Sequence, residues 1–221
     1  ANDNTAVGYN AMTDCTEGTL NTAVGVSAGH QIITGDQNCL LGRRAGYALT
    51  TANDNTAMGY LALYTADAND NTAFGSSCLQ NSTGAEMTAI GRMAGISNTS
   101  GAGSFYGGYR AAYNQQTGGY NVSIGSDSMY NGTAGHSNTC IGANAGYHIA
   151  DGYRNVAIGY SISIPADANH RFAIGYNNTA GSNTQDHAFS VHSGGTNYVR
   201  LLTGSTTVSA NSDERLKKDI E

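Results

Sequence analysis

The sequence contains little proline, tryptophan, lysine or charge. Of its 221 residues, one is proline, none is tryptophan and 12% are charged, while lysine occurs only at Lys217 and Lys218. A single proline excludes collagen-like and proline-rich structures, whereas 30 glycines indicate many tight turns. No apolar run reaches the roughly 18 residues that a membrane helix needs, so we expect no membrane insertion. A net charge of −6 argues against nucleic acid as a partner.

Cysteine is also sparse, and its spacing fits no zinc-binding pattern. The four cysteines are Cys15, Cys39, Cys78 and Cys140. Two of them, Cys39 and Cys140, replace small or apolar residues of the repeat described below. We therefore interpret all four as small buried side chains of a protein made in a reducing compartment, and we expect no metal and no cofactor.

One motif, Asn-Thr-Ala-apolar-Gly, recurs eleven times with variations. The glycines read as its closing residues are Gly8, Gly25, Gly42, Gly59, Gly75, Gly91, Gly107, Gly125, Gly142, Gly159 and Gly175, at steps of 16 to 18 residues. A short fixed period predicts one supersecondary unit that is stacked many times. We therefore expect residues 1–180 to form a solenoid of about eleven rungs.

The motif is typical of a short β-strand, because its residues alternate in character. In Asn21-Thr22-Ala23-Val24-Gly25, threonine and the apolar residue point to one side and alanine to the other. We expect the first side to fill a core and the alanine side to approach a neighbouring chain. A second short strand is expected after the glycine, where a small residue such as Ala28 recurs. Because a rung is too short for a strand–helix–strand unit, the predicted fold class is all-β, with rungs about 4.8 Å apart.

The motif, together with the small residue three positions after its glycine, resembles the head repeat of trimeric autotransporter adhesins. This resemblance implies a left-handed parallel β-roll in which three chains pack side by side, so we expect a homotrimer. It covers residues 4 to about 180. The period is longer than in that family, and the rungs around Gly107 and Gly175 are expected to be the least regular.

The C-terminus resembles a second family. Ser212-Asp213-Glu214-Arg215-Leu216-Lys217-Lys218-Asp219-Ile220 is similar to the start of the self-cleaving intramolecular chaperone of phage tail spikes and fibres, the endosialidase type being an example. The resemblance implies that the chaperone trimerises the fibre and cuts the chain at the Ser212–Asp213 bond. It makes Ser212 the nucleophile and Lys217 its base, a role that a desolvated neutral lysine can perform.

Residues 212–221 also suit the first turns of a helix, because Glu214 precedes Lys217 and Lys218. Along one helix, the side chains of Ser212 and Lys217 point about 140° apart, so Ser212 is expected outside that helix. A charged helix start without chemistry is the alternative. The preceding residues 181–211 contain apolar runs separated by glycines and resemble the trimeric β stem that usually precedes this chaperone.

Three further groups of residues have both a functional and a simpler structural interpretation. Asn2-Asp3-Asn4, Asn53-Asp54-Asn55 and Asn69-Asp70-Asn71 could bind calcium but are ordinary turn sequences. Six histidines show no paired spacing; on a threefold axis one histidine could meet its two copies and bind a metal or an anion, but we interpret them as solvated or packed. Recurring tyrosines such as Tyr47 and Tyr64 could stack against sugars, but we attribute them to packing between rungs. The acidic residues form no recognisable pair for glycoside hydrolysis.

These patterns predict a structural and host-attachment segment of a trimeric phage tail fibre, which belongs to the virion and matures by cleavage at Ser212–Asp213. The expected partners are further copies of the chain and a glycan or protein of the host-cell surface. The alternatives are a bacterial trimeric surface adhesin with the same C-terminal chaperone, and a glycan-degrading tail spike. Apart from self-cleavage by Ser212 and Lys217, we expect no enzymatic activity.

Overall fold

The structure, a computed structural model, describes residues 3–177, 188–193, 198–202 and 209–210. Its first eleven strands are β1 (Thr5–Val7), β2 (Thr22–Val24), β3 (Cys39–Leu41), β4 (Thr56–Met58), β5 (Thr72–Phe74), β6 (Thr88–Ile90), β7 (Phe105–Gly107), β8 (Val122–Ile124), β9 (Thr139–Ile141), β10 (Val156–Tyr160) and β11 (Phe172–Tyr176). Each pairs in parallel with the strand of the next rung. The expected all-β solenoid is confirmed, with about ten turns.

Three further strands continue the same sheet, β12 (Ala188–Ser193), β13 (Tyr198–Leu202) and β14 (Ser209–Ala210). Strand β12 is parallel to β11, whereas β13 pairs in antiparallel orientation with both β12 and β14. The described residues contain no helix, and hence none that is long and apolar enough to cross a bilayer. The helix predicted within 212–221 lies outside the described residues.

The two faces of each strand are reversed with respect to the expectation from the sequence. Ala23 and Ala89 are fully buried inside their own rungs, whereas Thr22 is exposed and Val24 half-buried. The interior is narrow because large side chains enter it from the other side of the rung. These fully buried residues are Ile32, Leu49, Leu63, Leu79, Met129 and Ile149. Because the alanine side faces the interior and not a neighbouring chain, an Ala89→Phe change would overfill the rung itself.

Larger residues at the alanine position are matched by a glycine on the facing turn. Leu40 replaces alanine in β3, and a Cβ added at Gly46 would lie 2.6 Å from Leu40 Cδ2. Tyr106 replaces alanine in β7, and a Cβ added at Gly95 would lie 2.6 Å from the Tyr106 Cδ2. Because each bulky side chain takes the space that the glycine leaves, the core stays close-packed while its sequence varies.

The second strand predicted after each motif glycine is absent from the described rungs, where the chain forms a turn instead. Several residues of this turn lie in the left-handed region, with φ values of 57° at Arg44 and 50° at Leu63. Such residues rarely adopt this conformation. It is held by the neighbouring rungs, since the Arg44 N–H donates to the Val26 carbonyl at 2.9 Å and the Leu63 N–H to the Cys78 carbonyl at 3.1 Å.

The asparagine that opens the motif is buried and bonds one rung to the next. At Asn138, Nδ2 donates to the Gly152 carbonyl at 2.8 Å, and Oδ1 accepts from the Asn155 backbone N–H at 2.9 Å. The same two bonds recur at Asn21, to the Gly35 carbonyl and from the Asn38 N–H. A buried amide is tolerated only when its groups are hydrogen-bonded, and these asparagines meet that condition by bonding to one another from rung to rung. We call this series the buried asparagine ladder.

The structure corrects the reading of the motif in the seventh rung. Ile90 of β6 pairs with Gly107, so Gly107 is a strand residue in the position before the motif glycine. The turn glycine is Gly108, with a φ of 129° like the turn glycines of the other rungs. The steps from Gly91 to Gly108 and on to Gly125 are then both 17 residues. The rung at Gly175 was expected to be irregular, but it is regular, because β10 and β11 pair in register over five residues.

This register predicts effects of very different size for alanine substitutions at two adjacent glycines. A Cβ at Gly108 would lie 2.6 Å from the Gly125 carbonyl oxygen, on a backbone that L-residues avoid. Gly108→Ala should therefore destabilise the fold by about 3 kcal/mol or more. At Gly107 the nearest atom is Phe105 Cε1, 3.1 Å away at the end of a ring that can move. Gly107→Ala should change stability by no more than about 1 kcal/mol. Denaturant unfolding of both variants checks this, and equal effects would contradict the register.

Candidate functional site

A row of apolar side chains lies on the outer face of the strands, mostly one per rung. We call it the apolar row; it consists of Val7, Val24, Leu41, Met58, Phe74, Ile90, Ile124, Ile141, Ile158 and Ile174. The most exposed members range from Ile141, with 37% of its surface accessible, to Val7, with 57%. These residues were predicted to fill the core. In the single chain they face outwards.

Parallel pairing without register shifts makes the row continuous. Ile141 pairs with Ile124 on one side and Ile158 on the other, so their side chains are about 4.8 Å apart along the rod. Only β7 interrupts the row, because Gly107 has no side chain. There the ring of Phe105 comes close, since a Cβ at Gly107 would lie 3.1 Å from its Cε1. Soluble monomers rarely expose contiguous apolar patches of this kind, so the row is a candidate interaction surface.

A second surface, formed by the residues that follow the motif glycines, carries stacked aromatic rings. The ring centroids are 5.0 to 5.3 Å apart within each set, which matches the separation of the rungs. The interpretation of these tyrosines as packing between rungs is therefore confirmed. The stacked sets are His30–Tyr47–Tyr64, Tyr113–Tyr130–Tyr147 and Tyr160–Tyr176.

Arginine side chains cover some of these rings. The Arg110 guanidinium lies 4.8 Å from the ring centroid of Tyr109 and 5.0 Å from that of Tyr130. Its Nε also lies 2.7 Å from Asp127 Oδ1, and the hydrogen bond to Asp127 raises the pKa of Arg110. Because this arginine is already paired with a carboxylate, we do not assign it to the binding of an anionic ligand.

Two thiols and one phenol are buried in the core and stay protonated at neutral pH. Burial raises the pKa of the Cys78 and Cys140 thiols to about 12, so both stay protonated at neutral pH. Burial likewise raises the pKa of Tyr106 to about 12. All four cysteines are free, but the expectation that all are buried is wrong for Cys39, which is exposed on the outer face of β3, and Cys15 is only half-buried.

The acidic turns have the backbone geometry of turns. Asp3, Asp54 and Asp70 all lie in the left-handed region, with φ values of 60°, 59° and 61°. Where the structure describes the chain, His, Cys, Asp and Glu form no group of three that could hold a metal ion. The histidines His30 and His136 instead stack on tyrosine rings, at centroid distances of 5.0 and 5.1 Å.

One open cleft lies between the outer turns of the ninth and tenth rungs. Its volume is about 240 Å³, and it is lined by Asn144, Tyr147, His148, Ser161 and Ser163. The lining combines one aromatic ring with amide, imidazole and hydroxyl groups and contains no carboxylate. It therefore lacks the acidic pair that glycoside hydrolysis requires. Nothing in the sequence distinguished these residues from the other outer turns.

The residues predicted to cut the chain, Ser212 and Lys217, lie outside the described residues together with Asp213. The structure thus places the apolar row, the aromatic turns and the cleft, and the cleavage site stays a prediction from the sequence. Comparison of the chain with protein-family models, with curated proteins and with solved structures found no match to any of them.

Proposed function

We propose that the chain is a structural and host-attachment segment of a trimeric phage tail fibre. The observation that carries this proposal is the apolar row, which a rod-shaped single chain leaves in water along its length. Three chains that pack through their strand faces would bury the row around a common axis, as closed cyclic symmetry allows. The resemblance of the repeat to trimeric adhesin heads supports three copies, and the resemblance at the C-terminus supports the phage fibre.

In this arrangement the two surfaces have separate tasks. The strand face with Ile90 and Ile141 would hold the chains together. The turns that carry Tyr64 and Tyr130 lie outside the strands and would stay accessible to a receptor, a glycan or protein of the host-cell surface. A repeated rod suits such a role because it presents many equivalent outer turns on a stiff support.

Maturation is proposed to proceed by cleavage of the Ser212–Asp213 bond, with Ser212 as nucleophile and Lys217 as base. Ser212→Ala should leave the precursor uncut, because the attacking oxygen is gone, while trimers still form. The measurement is a denaturing gel of the full precursor, with the C-terminal chaperone attached, beside the size of the native assembly.

A nearby serine in the same segment, Ser209, provides the control for the Ser212→Ala variant. Ser209→Ala, at the start of β14, removes a hydroxyl without touching the proposed nucleophile and should leave cleavage unchanged. Cleavage at the same bond in the Ser212→Ala precursor would show that the assignment of the nucleophile is wrong.

A bacterial surface adhesin that uses the same chaperone is the second candidate. It is favoured by the repeat, whose Asn-Thr-Ala-Val-Gly motif at residues 4–8 and 21–25 is the part that resembles adhesin heads. The sequence upstream of this chain separates the two candidates, since a fibre carries a virion-attachment region and an adhesin carries a secretion signal. A glycan-degrading spike is tested by sugar release from host polysaccharides, for which we expect no activity.

A further inference from the structure

The cleft at the ninth and tenth rungs exists because a ladder of rings ends there. Tyr113, Tyr130 and Tyr147 stack at successive rungs with centroids 5.1 Å apart. In the tenth rung the corresponding side chain is the fully buried Ile164, followed by Pro165, so no ring continues the stack. One face of Tyr147 is covered by Tyr130, and the side towards the tenth rung is open to the cleft.

The polar groups around this open ring are not used by the fold. Among the described residues, no hydrogen bond involves the side chains of Asn144, Ser161 or Ser163, in contrast to the fully bonded buried Asn138. The ring of His148 meets that of Tyr147 edge-on, at a centroid distance of 5.1 Å, and limits its movement. The cleft therefore combines a held aromatic face with free hydrogen-bond donors and acceptors on one concave surface.

From this geometry we infer that the cleft binds one neutral sugar ring of a cell-surface glycan. A pyranose has a face of C–H groups that packs on an aromatic ring, and hydroxyls at its rim that bond to amide and hydroxyl side chains. The lining carries no Arg, Lys, Asp or Glu, so it favours a neutral hexose or N-acetylhexosamine over a charged sugar. At about 240 Å³ the cleft is below the roughly 300 Å³ at which drug-sized pockets begin, and it fits a single ring.

The inference rests on the proposed role in host attachment, for which it names a receptor class and a contact point. The cleft uses the turn residues Asn144 and Tyr147, whereas the apolar row uses the strand residues Ile141 and Ile158. Assembly and sugar binding therefore depend on different side chains. Each can be lost without the other, so the two proposals can fail separately.

The test measures the binding of simple sugar probes to the whole chain by saturation-transfer NMR and titration calorimetry. These are the methyl glycosides of glucose, galactose, mannose and N-acetylglucosamine, with the methyl glycoside of sialic acid as the charged comparison. We expect at least one neutral glycoside to bind and the charged one not to bind. Tyr147→Leu should weaken binding about tenfold or more, because the stacking face is gone.

Tyr113→Leu is the matched control, since it removes the ring at the other end of the same ladder, away from the cleft. It should leave the affinity unchanged. Ser163→Leu fills the cleft without touching a ring and should also abolish binding, so it decides the matter if Tyr147→Leu does not fold. The inference is overturned if no neutral glycoside binds, or if Tyr113→Leu weakens binding as much as Tyr147→Leu. Either result leaves the mass of the assembly, and with it the proposed fibre role, unaffected.

Discussion

Replacing Ile124 and Ile141 with aspartate should convert the proposed trimer into a folded monomer. Both side chains belong to the apolar row and are more than a third exposed in the single chain, so the charges face water when the chain is alone. In the trimer the same carboxylates would be buried without partners, at about 3 kcal/mol or more each. The expected result is a mass equal to one chain by sedimentation equilibrium, with an unchanged β-sheet signal in circular dichroism.

The control places aspartate at Ile33 and Thr99, which occupy the position eight residues after the turn glycine, outside the strands. Asp67 occurs naturally at the same position, where its Oδ1 accepts the Thr51 N–H. This variant should keep the mass of the unmodified protein. If the Ile124→Asp/Ile141→Asp double variant keeps it as well, the apolar row is not the assembly surface.

Replacing Asn138 with aspartate should destabilise the solenoid by about 3 kcal/mol at neutral pH. The two side chains have the same shape, but the carboxylate cannot donate to the Gly152 carbonyl, 2.8 Å from the present Nδ2. It would also face Asn121 Oδ1, 3.3 Å from the same nitrogen. The substitution would therefore bury a negative charge and point one of its oxygens at two oxygen acceptors, which is strongly unfavourable.

The pH dependence of this variant has an unusual sign. Burial and the two acceptors raise the pKa of the introduced carboxyl in the folded state above its ordinary value of about 3.9. The destabilisation is therefore complete above the raised pKa and diminishes as the pH falls through it, because the protonated group can donate again. Relative to the unmodified protein, Asn138→Asp should lose less stability at pH 5 than at pH 7 in urea unfolding.

Asn144→Asp is the comparison for this experiment. Asn144 lies on an outer turn, and its side chain makes no hydrogen bond among the described residues. Its replacement should change stability by no more than about 0.5 kcal/mol at either pH. A loss at Asn138 that equals the loss at Asn144 would mean that the buried asparagine ladder contributes nothing specific to the fold.

The repeat, the all-β class and the parallel stacking could be predicted from the sequence, because the motif glycines recur at a nearly constant interval. Which strand face lies inside could not be predicted from alternation alone. Size suggested that Val24 was inside and Ala23 outside, and the reverse is true. The signal that was available is the second set of large residues, such as Ile32 and Leu49, which already fill a narrow rung and leave space only for alanine.

Two local features were missed in the sequence. In Gly107-Gly108 either glycine could close the motif; the even steps of 17 residues favour Gly108, and the pairing of Ile90 with Gly107 and the positive φ of Gly108 decide between them. The cleft beside Tyr147 arises from the missing ring in the next rung, which depends on knowing that Ile164 turns inwards. Both features follow from how neighbouring rungs meet, and this information is spread over residues 16 or 17 apart.

Sedimentation equilibrium of the unmodified chain tests the central claim most directly. The claim is that rungs with small interiors leave an apolar row outside, and that two sister chains cover this row. At micromolar concentration we predict a mass three times the 22.8 kDa of one chain, or of the chain shortened at Ser212 if cleavage has occurred. A stable, folded species with the mass of a single chain over the whole concentration range would contradict it.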